Sequence, residues 1–299
     1  MNRGPRLTGI LLATTLACFC LSAPVAQADE AAPSSQSLRQ LYTDAAPALR
    51  ASAFGRPMRI ESTEARGSLR GEVLVEIDQP LDRLVATLER PASWCEVLLL
   101  TPNVVACAPV GDGDAKQLAV RLSRRFDQPA KEAYAATFDF RLTARQPDYV
   151  HLLLTAKKGP VGTRDYRFDV EALALDARRS VLRMVYSYSY GLTARLATQA
   201  YLSTKGSEKI GFSTEPGKDG KPRPVGGLRG SVERNAMRYA LAIEAHSAQA
   251  PDRAASTRFD SSLDLWLTAI GRYAAQIGED DVAAYRKEKQ AQFKAAPSS

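Results

Sequence analysis

The sequence of 299 residues contains few of the side chains that usually identify a catalytic or metal site. It has two histidines, His151 and His246, and four cysteines. Neither histidine has the spacing to a second ligand that zinc sites show, so no metal centre is predicted. The Gly-x-Ser-x-Gly segment of many hydrolases and a phosphate-cradling glycine loop are both absent. The motifs therefore predict no catalytic residue and no cofactor.

Dense basic runs interleaved with aromatic residues, which are typical of nucleic-acid binding, are missing as well. The chain has 40 Lys and Arg against 33 Asp and Glu, a formal net charge of +7, and the basic residues are scattered. No nucleic-acid partner is therefore expected. Beyond the N-terminal region, no apolar run approaches the ~20 residues that a membrane-spanning helix needs.

The N-terminus has the pattern of a targeting segment. Two arginines precede the apolar run Leu7–Ala23, and Ala26-Gln27-Ala28 fits a small-x-small cleavage site. Residues 1–28 are therefore predicted to be a signal peptide that is cut after Ala28, which implies a periplasmic or secreted protein. Lipoprotein processing at Cys18 or Cys20 is the alternative.

Two cysteines, Cys95 and Cys107, remain after this cleavage. Because an exported protein resides in an oxidising compartment, the pair is predicted to form a disulfide. A bridge over so short a loop would stabilise the protein by about 3 kcal/mol on the chain-entropy estimate. Two buried free thiols are the alternative.

Most of the chain shows the two-residue alternation of half-buried strands. After a leader and one short helix in residues 29–56, the first clear strand is predicted at Leu69–Ile77, and strands follow one another from residue 103 to Tyr190. Leu173 and Leu175 fall out of phase with the alternation before them, which predicts a β-bulge. Hairpin-sized gaps join the strands, so the sheet should be antiparallel.

One long amphipathic helix, Leu228–His246, follows the strands, and its apolar residues recur every three or four positions. We expect the sheet to fold around this helix. A second helix is predicted at 192–202. Residues 251–299 are predicted to be a helical extension, with Ser261 or Ser262 capping a helix that contains Trp266.

This order of elements resembles the helix-grip fold of the START and polyketide-cyclase-like superfamily. The matching segments are GEVLVEIDQPLDRLVATLERPASWCEVLL and GGLRGSVERNAMRYALAIEAH. The second is also similar to a segment of uncharacterised exported bacterial proteins. The resemblance covers residues 57–250 and implies an α+β domain, in which a curved antiparallel sheet and the last long helix enclose an apolar cavity.

Tyr186, Tyr188 and Tyr190 share one face of the clearest strand, so they are candidates to line such a cavity with hydroxyl-bearing walls. A lipid-like ligand with one polar end would fit these walls. The alternative is an aromatic core whose hydroxyls reach water. The same two interpretations apply to Phe138, Phe140, Tyr166 and Phe168, and Tyr239 of the long helix is a further candidate to bind the ligand.

Charged residues give two further hypotheses. Arg164 or Arg238, if turned inward, could bind a carboxylate or phosphate headgroup. The alternative is a structural ion-pair network at the start of the long helix, which also includes Asp165, Glu233 and Arg234. A basic set near one loop could contact an anionic membrane surface, or could form an ordinary solvated loop. This set is Lys205, Lys209, Lys218, Lys221 and Arg223.

Three functions remain open from the sequence. The first is an exported, non-catalytic binding or carrier protein for a hydrophobic or amphipathic molecule. The second is a filled-core envelope protein that binds another protein, with an exposed apolar patch near Trp266. The third is an enzyme for a small hydrophobic substrate, which requires a buried ionisable group that is not neutralised by a partner.

Overall fold

The structure, a computed structural model, describes residue 1 and the ranges 32–65, 67–111, 116–192 and 209–296. The predicted cleavage site after Ala28 lies outside these ranges, as do Lys205 and residues 193–202 of the predicted second helix. Ala32–Ser299 forms one compact unit. No helix that the structure describes is both long enough and apolar enough to cross a bilayer.

Seven helices and ten strands are described. The helices are α1 (Ser35–Arg50), α2 (Leu81–Leu88), α3 (Pro91–Leu99), α4 (Gly227–Ser247), α5 (Ala255–Gly271), α6 (Ala274–Ile277) and α7 (Val282–Ala295). The strands are β1 (Met58–Ala65), β2 (Ser68–Ile77), β3 (Val104–Val110), β4 (Gln117–Leu122), β5 (Tyr134–Arg145), β6 (Tyr149–Lys158), β7 (Thr163–Ala174), β8 (Ser180–Tyr190), β9 (Thr214–Pro216) and β10 (Pro222–Pro224).

Eight of these strands form one curved antiparallel sheet in the order β1-β2-β8-β7-β6-β5-β4-β3, and β9 and β10 form a separate hairpin. The long helix α4 lies against the inner face of the large sheet and is buried along most of its length. The predicted fold class, an α+β domain with an antiparallel sheet around a long helix and further C-terminal helices, is confirmed.

A glycine lets α4 approach the sheet closely. A Cβ atom on Gly71 of β2 would lie 2.9 Å from the carbonyl oxygen of Val232 and 3.3 Å from the Cβ of Ala236. Any side chain at this position would therefore push the helix away from the strand. On β8 the alternation of the sequence matches the structure, since Leu182, Met184 and the tyrosines face the helix.

The sheet is also covered on part of its outer face, by α1. Leu38 and Leu49 of this helix pack with outward-facing residues of four strands, among them Leu173 and Val181. The prediction of a bulge from the phase of Leu173 and Leu175 is therefore wrong. Leu173 is apolar because it packs under α1, and the only register shift of β7 against β8 lies earlier, between Arg164 and Arg167.

The C-terminal helices cover the side of α4 that faces away from the sheet. Trp266 of α5 is fully buried, stacks on Tyr285 of α7 with ring centroids 5.6 Å apart, and donates its indole N–H to the carbonyl of Arg238 at 3.2 Å. The expected exposed patch near Trp266 is therefore wrong. The predicted cap is also wrong, because α5 begins at Ala255 and Ser262 lies buried inside it.

Cys95 of α3 and Cys107 of β3 form a disulfide, with their Cα atoms 5.1 Å apart. Both residues are buried in the main core, where the bridge ties the α2–α3 corner to an edge strand of the sheet. The predicted pairing is therefore confirmed.

Reducing this bridge should destabilise the protein without unfolding it. The chain-entropy estimate for a loop of this size is about 3 kcal/mol, which in a chain of this length corresponds to a fall of about 5 °C in the melting temperature. Thermal unfolding of wild type and of the double variant Cys95→Ser, Cys107→Ser, with and without reductant, measures this effect. Reductant should leave the double variant unchanged; an equal shift in both proteins would contradict the assignment.

Candidate functional site

Aromatic rings from β7, β8 and α4 meet between the sheet and the helix. We call Tyr166, Phe168, Tyr186, Tyr188 and Tyr239 the tyrosine cluster. Ring centroids are 4.7 Å apart for Phe168 and Tyr239, 5.4 Å for Tyr186 and Tyr239, and 5.2 Å for the stacked rings of Tyr166 and Tyr188. Alternate residues of two adjacent strands produce this arrangement, because they point to the same face of the sheet.

The inner side of this cluster is filled by further rings. Phe168 also contacts Trp94 of α3 at 6.5 Å and Phe138 of β5 at 5.6 Å, both edge to face. Edge-to-face contacts at these distances are favourable and leave no room for a ligand between the rings. Phe138 and Phe140 are both buried in the core. On this side the cluster is therefore packed against Trp94 and Phe138.

Hydroxyl groups distinguish this cluster from an ordinary aromatic core. The hydroxyl of Tyr166 is hydrogen-bonded to the hydroxyl of Thr163 at 2.8 Å. The hydroxyl of Tyr190 donates to the carboxylate of Glu64 at 2.5 Å. The hydroxyls of Tyr186 and Tyr188, in contrast, form no hydrogen bond with any other residue in the described ranges. Tyr186 is only 5% exposed, and Tyr188 is half-buried.

Burial raises the pKa of Tyr186 well above its ordinary value, and the neighbouring phenols act in the same direction. The pKa values of Tyr188 and Tyr239 are raised for the same main reason. All three side chains are therefore neutral near pH 7, when each hydroxyl can both donate and accept a hydrogen bond. The cluster offers an apolar surface with neutral polar groups and no charge.

Arg164 does not reach this cluster. Its side chain is 55% exposed and pairs with Asp165 at 3.2 Å, beside the register shift of β7. The inward orientation that would bind a headgroup is therefore absent. Of the basic set, Lys218, Lys221 and Arg223 are exposed on or beside the β9–β10 hairpin, where Arg223 pairs with Asp219.

Glu233 has a structural role, but with other partners than those of the predicted ion-pair network. It is fully buried in α4, and its carboxylate accepts hydrogen bonds from the Ser62 hydroxyl at 2.6 Å and from the backbone N–H groups of Phe212 and Ser213 at 2.6 and 2.9 Å. Arg234 donates to the carbonyl of Lys209 at 3.1 Å. These two residues therefore hold segment 209–213 against α4, in place of the predicted network with Arg164.

The outer face of the sheet carries a row of buried charges across neighbouring strands. Arg183 of β8 pairs with Glu72 of β2 at 2.9 Å and with Glu171 of β7 at 2.7 Å. Burial acts to raise the pKa of Glu72, but Arg183 and Arg70 outweigh it and hold that pKa below its ordinary value. This row is a structural network, since each carboxylate is held by a cation.

Both histidines are buried between a threonine and a carboxylate, an arrangement that the sequence analysis missed. On the outer face, Nε2 of His151 lies 2.8 Å from Asp169, and its Nδ1 faces Thr143. At the end of α4, Nε2 of His246 lies 3.1 Å from Glu96, and its Nδ1 is 2.9 Å from Thr87 of α2.

In both places the carboxylate that faces the histidine also pairs with an arginine: Arg167 pairs with Asp169 at 2.5 Å, and Arg258 pairs with Glu96. Burial acts to raise the pKa of both acids, but the histidine and the arginine together lower it. Each buried acid in the described ranges has such a partner or, like Glu233, accepts several hydrogen bonds. A buried ionisable group without an ion-pair partner does occur in these ranges: Lys289 of α7, whose amine donates to the carbonyls of Thr101 and Val104 and to Gln292.

No protein-family model matches this chain, and no curated protein matches it. Solved structures do match. A conserved protein from Geobacillus kaustophilus is 13% identical, with 60% of this chain and 95% of that chain covered and a TM-score of 0.35. Norcoclaurine synthase from Thalictrum flavum, in complex with dopamine and hydroxybenzaldehyde, is 13% identical over 48% of this chain and 87% of that chain, with a TM-score of 0.34.

Human StAR-related lipid transfer protein 5 is 8% identical, with 58% of this chain and 91% of that chain covered and a TM-score of 0.32. These neighbours include both a synthase and a lipid transfer protein, and at such identities and TM-scores they do not decide between functions. The function has to be inferred from the chain's own residues.

Proposed function

We propose that the protein is an exported, non-catalytic binding protein for a hydrophobic or amphipathic small molecule. The molecule would lie against the tyrosine cluster on the side of Tyr166 and Tyr188. Export rests on the N-terminal sequence pattern, with its two arginines, its apolar run and its cleavage site after Ala28. No covalent step is required. A lipid-like molecule with one neutral polar end is the ligand class that the cluster suits best.

The observation that carries this proposal is the pair of hydroxyls on Tyr186 and Tyr188. A buried hydroxyl without a hydrogen-bond partner costs about 1–3 kcal/mol, so such groups are usually paired. The hydroxyl of Tyr186 is on a buried side chain and that of Tyr188 on a half-buried one; both lie on one aromatic surface and are neutral near pH 7. A ligand with an apolar body and one oxygen would cover the rings and satisfy a hydroxyl, which recovers this cost.

Native mass spectrometry of residues 29–299, purified from the periplasm of an expressing bacterium, tests the proposal directly. We expect a stoichiometric adduct that organic extraction identifies as an apolar or amphipathic molecule. Substituting both tyrosines, Tyr186→Phe and Tyr188→Phe, should lower ligand occupancy by about tenfold, since the rings remain and the hydroxyls are lost.

The matched control is Tyr273→Phe, which removes a hydroxyl whose one hydrogen bond, to the Phe54 carbonyl, is 3.4 Å long. This variant should retain full occupancy. A clean apoprotein mass, followed by no binding to a panel of phospholipids, fatty acids and isoprenoids, would exclude the carrier function.

The second candidate, a filled-core protein that binds another protein, is favoured by the contacts of Phe168 with Trp94, Phe138, Tyr186 and Tyr239. These contacts show that the inner part of the sheet–helix space is already occupied. The same mass spectra decide between the two candidates, because a filled core predicts the clean apoprotein mass.

A further inference from the structure

A second concave site lies at the C-terminal end of α4, where α2, α3 and the start of α5 meet. Tyr239 and His246 are seven residues apart on α4, about 10 Å along the helix axis. We call this site the arginine cleft. Its lining residues are Arg83, Ala86, Thr87, Arg90, Ser93, His246, Gln249, Pro251 and Arg258.

The charge of the arginine cleft is positive. Three guanidinium groups line it, and the buried Glu96 behind it is already bound by Arg258 and His246. Within the described ranges, neither Arg83 nor Arg90 has a carboxylate partner; Arg83 donates only to the Gln249 carbonyl at 3.3 Å. Two cations therefore face the same cleft without a counter-ion from those ranges.

The first turn of α3 adds backbone donors. This nine-residue helix begins at Pro91, and no side chain caps it. The N–H groups of Ala92 and Ser93 belong to the first turn, where no carbonyl of the helix is available to accept from them. A helix N-terminus also carries a partial positive charge, so this end favours an anion.

The side chain of Ser93 adds a polar group that no other described residue uses. Ser93 is only 6% exposed and lines the cleft, yet its hydroxyl forms no hydrogen bond with any residue in the described ranges. Because this hydroxyl lines the cleft, it is available to donate a hydrogen bond to an acceptor that enters from outside.

We propose that the arginine cleft binds an oxyanion of the phosphate type, either as free phosphate or as the headgroup of a phosphorylated lipid. The enclosed space is about 10 Å³, which accommodates one water-sized group. One anion oxygen would therefore enter toward Ser93 and the first turn of α3. The remaining oxygens would stay at the mouth, where Arg83 is half-buried and Arg90 is exposed to solvent.

Calorimetric titration of residues 29–299 with inorganic phosphate, at constant ionic strength, tests the site. We expect saturable binding with one site per chain. The double variant Arg83→Gln, Arg90→Gln should weaken binding about tenfold or more, since charge-assisted hydrogen bonds to both guanidinium groups are lost. Ser93→Ala should weaken it by a smaller factor, because one neutral hydrogen bond is lost.

Arg121→Gln is the matched control, because Arg121 is an exposed arginine on β4 outside the cleft. It should bind phosphate as wild type does. Equal affinity in wild type and in the double variant, or no saturation in wild type, would overturn the proposal. Circular dichroism of each variant excludes misfolding as the cause of lost binding.

The two sources of the anion are separated by titrating dihexanoyl phosphatidic acid below its micelle concentration. Affinity well above that for inorganic phosphate, lost in the double variant, assigns the site to a lipid headgroup. Equal affinity for both probes assigns it to free phosphate. The double variant should retain the ligand of the tyrosine cluster in native mass spectra, so failure of one proposal leaves the other intact.

Discussion

Replacing Arg183 by Met should destabilise the protein by about 3–5 kcal/mol, because two buried carboxylates then lose the cation between them. The side chain of Arg183 is 11% exposed, and those of Glu72 and Glu171 are 7% and 2% exposed. Methionine retains most of the apolar stem, so the packing of the strand changes little. Urea unfolding followed by circular dichroism at pH 7 measures the change.

Arg179→Met serves as the control for this prediction. Arg179 pairs with Asp176 at 2.8 Å and with Glu76 at 3.4 Å; the side chains of Arg179 and Asp176 are about half exposed, and Glu76 keeps its hydrogen bond from the Tyr42 hydroxyl. Water solvates Asp176 when the arginine is removed, so this variant should unfold close to wild type. Equal losses in the two variants would mean that the buried row has no special role, and that either substitution simply perturbs a strand or its turn.

Raising the pH from 7 to 9.5 should stabilise the protein by about 3 kcal/mol through a single lysine. Lys289 of α7 is fully buried, and burial lowers its pKa from 10.5 to about 7. In the unfolded chain the amine stays protonated up to about pH 10.5, while in the folded protein it is neutral above about pH 7. The unfolded state therefore binds more protons in this range, and stability rises with pH.

The comparison that isolates this effect is Lys289→Met, whose stability should change far less over the same range. Tyrosines with raised pKa values lower stability only as the pH approaches 10 and above, so the measurement ends at 9.5. The amine of Lys289 donates to the carbonyls of Thr101 and Val104 at 2.8 and 2.7 Å and to Gln292 at 3.1 Å. If these acceptors keep it charged, wild type and variant will show the same pH dependence.

Most of the fold could be predicted from the sequence because its strands and its long helix carry strong periodic patterns. The alternation of β8 predicted which side chains face inward, and the spacing of apolar residues predicted α4 to within one residue at each end. The disulfide was predicted from the two cysteines that remain after the expected cleavage and from the oxidising compartment that export would imply, and the structure contains the pair. Each of these predictions rests on neighbours in sequence or on a count of residues.

The errors arose where a residue is covered by a distant segment. Leu173 is out of phase because α1, more than 120 positions earlier, packs on the outer face of its strand. Trp266 is buried because α7 returns to cover it. Periodicity shows that a face is apolar, but it does not show which part of the chain covers that face.

The candidate sites divide in the same way. The tyrosines of β8 could be identified from the sequence, since alternate residues of one strand must share a face. The arginine cleft could not, because Ser93 and Arg258 lie 165 positions apart and their side-chain types are ordinary. The sequence by itself determined the elements, their inward faces and the disulfide. Only the tertiary structure decided which charges are neutralised and which hydroxyls lack a partner, because these properties depend on contacts between residues distant in the chain.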